Sequence, residues 1–389
     1  MSHTSRVVCS MEVKMKITLY THIGDYGQYV DRMDLSAEEN EGSLEHAEAE
    51  IEGHYCDLSG KATSGGIKTV LLEEKKASIE FDPFLYRYDF VLRLRDGSRV
   101  KTITKKDADE VAVEGLEDFE PIEENGIRYR LYTPEGNGVR PLVLFLHGGG
   151  ESGEDNLLQM TGTIGALELA KRFPEMYVMA PQAPGGTLSM EENLEQMKKR
   201  GNPFAVEMGM TPFALKGERG WNRDYLGKVI DVIRRMIADG KADARRIYVI
   251  GMSMGGGGTI QAVTTAPDLF AAAAPICPSM NGESYAQLLH WPDVPVWIST
   301  AYMDHQHGRH AYLLNAVNKL LGEGRSISDL RYTIYLPEEL EAYGIGTTPD
   351  LTMRELDAEN HNSWILTLHN EKGILSWLFS HVKSEKKEV

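Results

Sequence analysis

Apolar and polar positions along the chain follow two patterns, with a change near residue 120. Before it, apolar runs are short and many alternate with polar residues. Val13–Tyr20 reads as a strand, and Lys68–Glu73, Ala77–Phe81, Tyr86–Leu94 and Arg99–Thr104 follow as β-like runs. The last two are joined by Arg95-Asp96-Gly97-Ser98, whose Asp-Gly pair favours a tight hairpin. Glu38–Glu52 is acidic and reads as a surface helix or a mobile stretch. Short strands with turn signals predict a small β-rich domain of sandwich type over residues 1–120.

From residue 121 to 389 the pattern becomes strand, then helix, repeatedly. Ile127–Tyr132 is an expected strand. Pro141–Leu146 is an almost unbroken apolar run, as a strand buried on both faces requires. Tyr177–Ala180, Arg246–Ile250, Ala271–Ile276, Val294–Ser299 and Leu330–Leu336 are further expected strands. Tyr225–Ala238 places apolar residues at helical spacing and stops at Gly240. Helices are also expected from Ser253 to about Thr265, over Ala311–Leu321 and over Glu371–Val382. The alternation predicts an α/β class: a mostly parallel sheet flanked by helices. Residues 185–220 break the rhythm with Met190, Met197, Met208, Met210, Phe204 and Phe213. Two readings of this insertion stand: a flap over the site, or an ordinary surface excursion.

The strand Arg246–Ile250 runs into Gly251-Met252-Ser253-Met254-Gly255, a G-x-S-x-G at a strand-to-helix turn. The spacing has a physical cause. A nucleophile at the tip of so sharp a turn sits in strained backbone, and the residues two before and two after it crowd together. Both must be tiny. The turn lifts the serine oxygen beyond the sheet, at a helix N-terminus whose N–H groups favour developing negative charge.

Serine is a weak nucleophile and needs a base. In the order Ser, acid, His, the expected base is His361, in Glu359-Asn360-His361-Asn362-Ser363-Trp364, read as a polar loop before the closing helix. The expected acid is Asp304, shortly after the strand Val294–Ser299; Asp293 and Asp357 are its rivals. An oxyanion hole needs two convergent N–H donors. Met254, after the nucleophile, supplies one. Gly149, in His147-Gly148-Gly149-Gly150 after Pro141–Leu146, is expected to supply the other. Trp221 and Trp364 are read either as lining the site or as packing. The cluster Asp304-His305-Gln306-His307-Gly308-Arg309-His310 has metal-binding residue types, but is read as loop beside the acid, with no metal.

Length and composition narrow the class. A chain of 389 residues suits two domains, and 42% hydrophobic with 25% charged residues marks it as globular. The formal net charge of -17 comes with no basic stripe, which argues against nucleic acid and anionic membrane surfaces. No apolar run approaches the ~20 residues that span a bilayer. No signal-peptide pattern is seen at the N-terminus, so a cytoplasmic location is expected. Cys9, Cys56 and Cys277 are far apart and odd in number, as free thiols in a reducing compartment would be.

Leu146–Asn156, Ala180-Pro181-Gln182, the serine elbow and His361-Asn362-Ser363-Trp364 together resemble the α/β-hydrolase esterases near the polyhydroxybutyrate-depolymerase and dienelactone-hydrolase branches. The resemblance covers about Glu120–Val389. It implies a carboxylesterase with a Ser-His-Asp triad, no cofactor, and an N-terminal β domain of immunoglobulin-like type. It also implies that Gly148, Glu151 and Gln182 line the oxyanion side. The strand before Asp304 ends in Ser299-Thr300-Ala301, where the family pattern has His-Gly. The substrate class implied is a small-molecule or carbohydrate-linked ester, and a homo-oligomer is an open expectation. Two other functions stand beside this one. One is a serine peptidase with the same triad, although the short β domain is unlike the propeller of prolyl oligopeptidases. The other is a binding protein on a retired hydrolase scaffold.

Overall fold

Leu142–Leu146 is buried at every position, so this strand has no solvent face and must lie inside a sheet. In the computed structural model it does. The structure describes residues 15–37, 44–54, 66–97, 99–185, 220–280, 282–305 and 309–384. The chain divides into two compact units, the first ending at Glu117 and the second beginning at Asp118. Most of the 185–220 insertion lies outside the described residues, so neither reading of it is addressed.

The first unit holds β1 (Met15–Gly24), β2 (Gly27–Ala37), β3 (Glu48–Glu52), β4 (Ile67–Leu72), β5 (Lys76–Leu85), β6 (Val91–Asp96), β7 (Arg99–Thr104) and β8 (Glu110–Val113). One sheet has the order β4-β5-β2-β1-β8 and the other β3-β6-β7. Residues of both sheets share one core, including Leu19, Met33, Ile79, Leu92 and Ile103, which is a β-sandwich. The pairing is antiparallel except where β1 meets β8 in parallel. Asp96 pairs with Arg99 where β6 turns into β7, and Gly97 takes φ +55°, which glycine adopts without strain. One expectation is corrected here. The end of Glu38–Glu52 is neither helix nor mobile stretch but strand β3, paired with β6. Arg93 and Arg95 on β6 reach Glu52 and Glu50, so the acidic run is charge-matched across strands.

The second unit holds β9 (Phe119–Glu124), β10 (Ile127–Tyr132), β11 (Arg140–Leu146), β12 (Tyr177–Pro181), β13 (Ala242–Met252), β14 (Ala272–Ile276), β15 (Val296–Ala301) and β16 (Leu330–Tyr335). They form one sheet in the order β16-β15-β14-β13-β11-β12-β10-β9. It is parallel from β16 to β12, and the edge strands β10 and β9 run antiparallel. Strand β9 straddles the expected boundary at residue 120 and belongs to this unit. Both faces are covered. Leu142, Leu144, Leu146, Ile247 and Val249 share a core with Leu226, Val229 and Ile233 of the helix Arg223–Ala238. Tyr248, of opposite parity on β13, packs against Phe379 of the helix Ile374–Ser380. Burying one such aliphatic side chain contributes about 1.5–3 kcal/mol before entropy is subtracted. The helix Arg223–Ala238 starts where the Asn222 side chain accepts the Tyr225 amide at 2.9 Å. It stops before Gly240, at φ +70°.

Two helical expectations change at the C-terminal end. The closing helix does not run through Glu371–Val382. A 3-10 turn at Glu371–Gly373 precedes a helix at Ile374–Ser380, because Lys372 and Gly373 take positive φ. The segment before His361 is not loop: Met353–Asn360 is a helix capped by Thr352 and Glu355.

The sheet order decides where chemistry can occur. After β11 the chain places β12 on one side, then returns to place β13 on the other. At such a reversal the loops leaving the carboxyl ends diverge and leave a crevice. The loops after β11, β13, β14 and β15 carry His147–Gly150, Ser253, Cys277 and Asp304 to the same edge.

Candidate active site

Ser253 is the N-cap of the helix Met254–Thr265, at φ 55° and ψ -117°. A non-glycine residue there is strained, and its surroundings must hold it. They do: its amide donates to Ile276 O at 2.9 Å, and its carbonyl accepts from Ser279 N at 2.8 Å. The glycine run has a steric reason. A Cβ on Gly255 would stand 1.9 Å from Leu146 O, and one on Gly251 would stand 2.3 Å from Gly255 O. A Cβ on Gly256 would meet Ile276 O at 2.6 Å, and one on Gly258 the Trp221 ring at 2.6 Å.

His361 follows the helix Met353–Asn360. Its Nε2 lies 2.8 Å from Ser253 Oγ, and its Nδ1 lies 2.9 Å from Asp304 Oδ2. The three side chains therefore form one hydrogen-bonded line. Asp304 is wholly buried, and its Oδ1 accepts from Nη1 of the equally buried Arg309. Burial pushes the Asp304 carboxyl up, but the charges of Arg309 and His361 outweigh it and hold it below the usual carboxylate range. Burial disfavours the His361 imidazolium, yet the Cys277 sulfur and the Asp304 carboxylate outweigh burial. They raise the imidazole to about 9 against the repulsion of Arg309. The rival acids are engaged elsewhere: Asp293 pairs with Arg325, and Asp357 accepts the His305 amide.

The loop after β11 lies against the serine. A Cβ on Gly148 would stand 3.7 Å from Ser253 Cβ, and one on Gly149 would stand 4.0 Å from Met254 Cβ. Gly149 opens a 3-10 turn and Met254 opens its helix, so both amides are of the kind a helix leaves without an internal partner. His147 anchors this loop. The Ala183 amide donates to its Nε2 at 2.8 Å, which puts the ring proton on Nδ1, 2.6 Å from Gly148 O.

The remaining expected site residues sit as follows. Glu151 is buried, with Oε2 lacking a hydrogen-bond partner among the described residues and lying 3.8 Å from His147 Nδ1. Trp364 is half-buried and meets the His361 ring edge-on, centroids 5.4 Å apart. Gln182 and Trp221 hydrogen-bond to the loop after β11. Gln182 Nε2 donates to Asp155 Oδ1 at 2.7 Å, and its Oε1 accepts the Asn156 amide at 2.7 Å. The buried Trp221 donates from its indole to His147 O at 3.0 Å. Both brace the His147–Asn156 segment, a duty that requires burial.

One group of possible metal donors stands among the described residues: Cys277, Asp304 and His361, with ligand atoms within 4.8 Å of one another. Both carboxylate oxygens and both ring nitrogens in it are already hydrogen-bonded, which leaves the sulfur alone. Of the His-rich cluster, residues 306–308 lie outside the described residues. His310 lies tilted against His305, ring centroids 4.9 Å apart. Sequence reasoning gave no separate role to Arg309, Cys277 or His147. Arg309 carried only a weak signal, a lone arginine five positions beyond the acid.

The model of the prolyl oligopeptidase family matches residues 208–319, a minority of the chain that includes Ser253 and Asp304 but not His361. No curated protein matches. Among solved structures, a thermostable esterase superposes with a TM-score of 0.59 over 95% of this chain and 100% of its own, at 23% identity. The acylaminoacyl peptidase of Pyrococcus horikoshii shares 13% identity, with a TM-score of 0.41 over 94% of this chain and 56% of its own. A bacterial heroin esterase shares 17% identity, with a TM-score of 0.36 over 65% of this chain and 85% of its own. The fold is that of an α/β-hydrolase with an N-terminal β domain. No helix among the described residues is long and apolar enough to cross a membrane.

Proposed function

We propose that this chain is a serine hydrolase, a carboxylesterase acting through Ser253, His361 and Asp304. The observation that carries the reading is the line from Ser253 Oγ through His361 to Asp304, beside the Met254 and Gly149 amides. Ser253 Oγ attacks the ester carbonyl carbon while His361 Nε2 takes the hydroxyl proton. The carbonyl oxygen becomes an oxyanion facing the two N–H groups, each worth about 3–4 kcal/mol of barrier. Collapse breaks the bond to the alcohol, which leaves with the proton from His361. Water then attacks the acyl-enzyme, and His361 takes and returns its proton in the same way. The proposal extends to a small-molecule or carbohydrate-linked ester as substrate and to a cytoplasmic setting. The site's own chemistry needs no cofactor in this scheme.

The test is fluorophosphonate labelling followed by intact-mass measurement, beside hydrolysis of p-nitrophenyl esters and peptide p-nitroanilides. One adduct per chain, with esters turned over and anilides left intact, is the expected result. Folded wild-type protein that takes no adduct overturns the reading. The match to the prolyl oligopeptidase family favours a second reading, peptide hydrolysis by the same three residues. Anilide turnover at a rate comparable to the esters would establish it.

The pH profile follows from His361. The base must be neutral to act, and its pKa is raised to about 9. So kcat/KM, which reports the free enzyme, is expected to rise with pH through that range, well above ordinary imidazole behaviour. A profile already flat above about pH 7 would contradict the arrangement around His361.

A further inference from the structure

Arg309 is a buried cation that the proposed steps do not use. Its Nη1 donates to Asp304 Oδ1, and its Nε donates to Pro278 O at 2.9 Å, in the loop leaving β14. Arg309 is 1% exposed and Asp304 0%. A buried ion pair stabilises a fold weakly, because desolvating both ions cancels most of their attraction. A reason other than stability is therefore needed.

The surroundings of the acid supply it. Asp304 is faced by Arg309, His361, His310 and Cys277. Burial holds His310 below the ordinary imidazole range, so it brings no charge at neutral pH. To act as a base His361 must be uncharged, and in that form it brings a hydrogen bond and no charge. Of its other neighbours, Ser253 and Trp364 do not titrate in the working range, while the Cys277 sulfur, like the Asp304 carboxylate, favours the imidazolium. Without Arg309, the cheapest counter-ion for a fully buried carboxylate is the imidazolium itself. The base would then be held in its protonated form to a higher pH than with Arg309 in place.

We propose that Arg309 is a positioning residue for the esterase reaction: the standing counter-ion of Asp304, which lets His361 become a base at a lower pH than Asp304 alone would allow. This rests on the triad reading above. The guanidinium suits the task because it does not deprotonate and its rigid fork holds two partners at once. Grip on Pro278 O fixes the fork, and the fork leaves Oδ2 as the oxygen that faces His361.

The experiment compares wild type with Arg309→Met and Arg309→Lys, after fluorophosphonate has been shown to label wild type at Ser253. If wild type takes no label, the triad reading fails first, separately from this proposal. Rates on p-nitrophenyl acetate are then measured over the neutral and alkaline range. Methionine is expected to lower kcat at neutral pH by roughly 10²-fold and to move the acid limb of kcat/KM to higher pH. Lysine is expected to keep the limb in place and lose part of kcat, because one ammonium cannot hold both partners. A folded methionine variant whose limb stays or moves down overturns the proposal, as does a loss equal at every pH. If the methionine variant does not fold, lysine decides. A kept limb with lowered kcat supports the proposal, and unchanged kcat overturns it.

Discussion

Alanine at Ser253 or at His361 is expected to lower kcat on p-nitrophenyl acetate by roughly 10⁵–10⁶-fold, and alanine at both by no more than either alone. The reasoning is that nucleophile and base form one unit. Ser253 Oγ and His361 Nε2 are 2.8 Å apart, so proton transfer accompanies attack. Removing either member leaves the other idle. What survives is the oxyanion pair of amides and substrate binding, worth about 10³–10⁴ over water in such sites. The measurement is steady-state kinetics on the two single variants and the double, each checked for native secondary structure. Losses that multiply in the double variant would mean that the two side chains act in separate steps. A loss below about tenfold at Ser253 would place the nucleophile elsewhere.

Protonation links this site to stability in a direction opposite to activity. The folded pKa of His361 is raised, so its contribution to stability is present below the ordinary imidazole value and fades as pH rises through about 9. Asp304 is lowered, so its contribution is present above the ordinary carboxylate value and is lost on acidification. Between neutral pH and about 9, turnover therefore rises while the His361 contribution to stability declines.

Much of this was legible in the sequence because it is local. The serine elbow needs small residues at fixed offsets on a strand-to-helix turn, and five consecutive letters carry that constraint. The apolar run Pro141–Leu146 could only be a strand covered on both faces. The residues that sequence reasoning missed or misplaced depend on contacts between distant segments. Arg309 meets Pro278 and Asp304 only once the β14 and β15 loops lie side by side. Gln182 and Trp221 meet Asp155 and His147 across long stretches of chain, contacts that no local pattern shows. Strand β3 was hidden by its glutamates, whose partners lie across the sheet on β6. The helix before His361 had a sequence mark, the Thr352 to Glu355 capping box, but its weak apolar pattern masked it.

The second large effect concerns glycine. Gly255→Ala is expected to destabilise the hydrolase unit by about 4 kcal/mol or more, or to abolish soluble expression. Leu146 on β11 lies in register with Gly251 on β13, and Gly255 sits one turn above that pair. The added Cβ would stand 1.9 Å from Leu146 O, 2.5 Å from Leu146 C and 2.6 Å from His147 O. All three atoms are backbone, so no side chain can rotate away. Relief requires parting the central strands or tilting the helix that carries Ser253, so surviving protein should also lose activity. Ordinary overpacking costs about 1–3 kcal/mol because flexible atoms give way, and none are available here. Gly227→Ala is the matched control. Gly227 lies inside the helix Arg223–Ala238, and a Cβ there meets nothing within 4 Å. Alanine is the better helix former by about 1 kcal/mol, so this variant should be more stable than wild type. Thermal melts of the two variants should therefore move in opposite directions. If alanine at 255 left both melting and turnover unchanged, β11 and β13 would not approach as closely as the pairing of Leu146 with Gly251 requires.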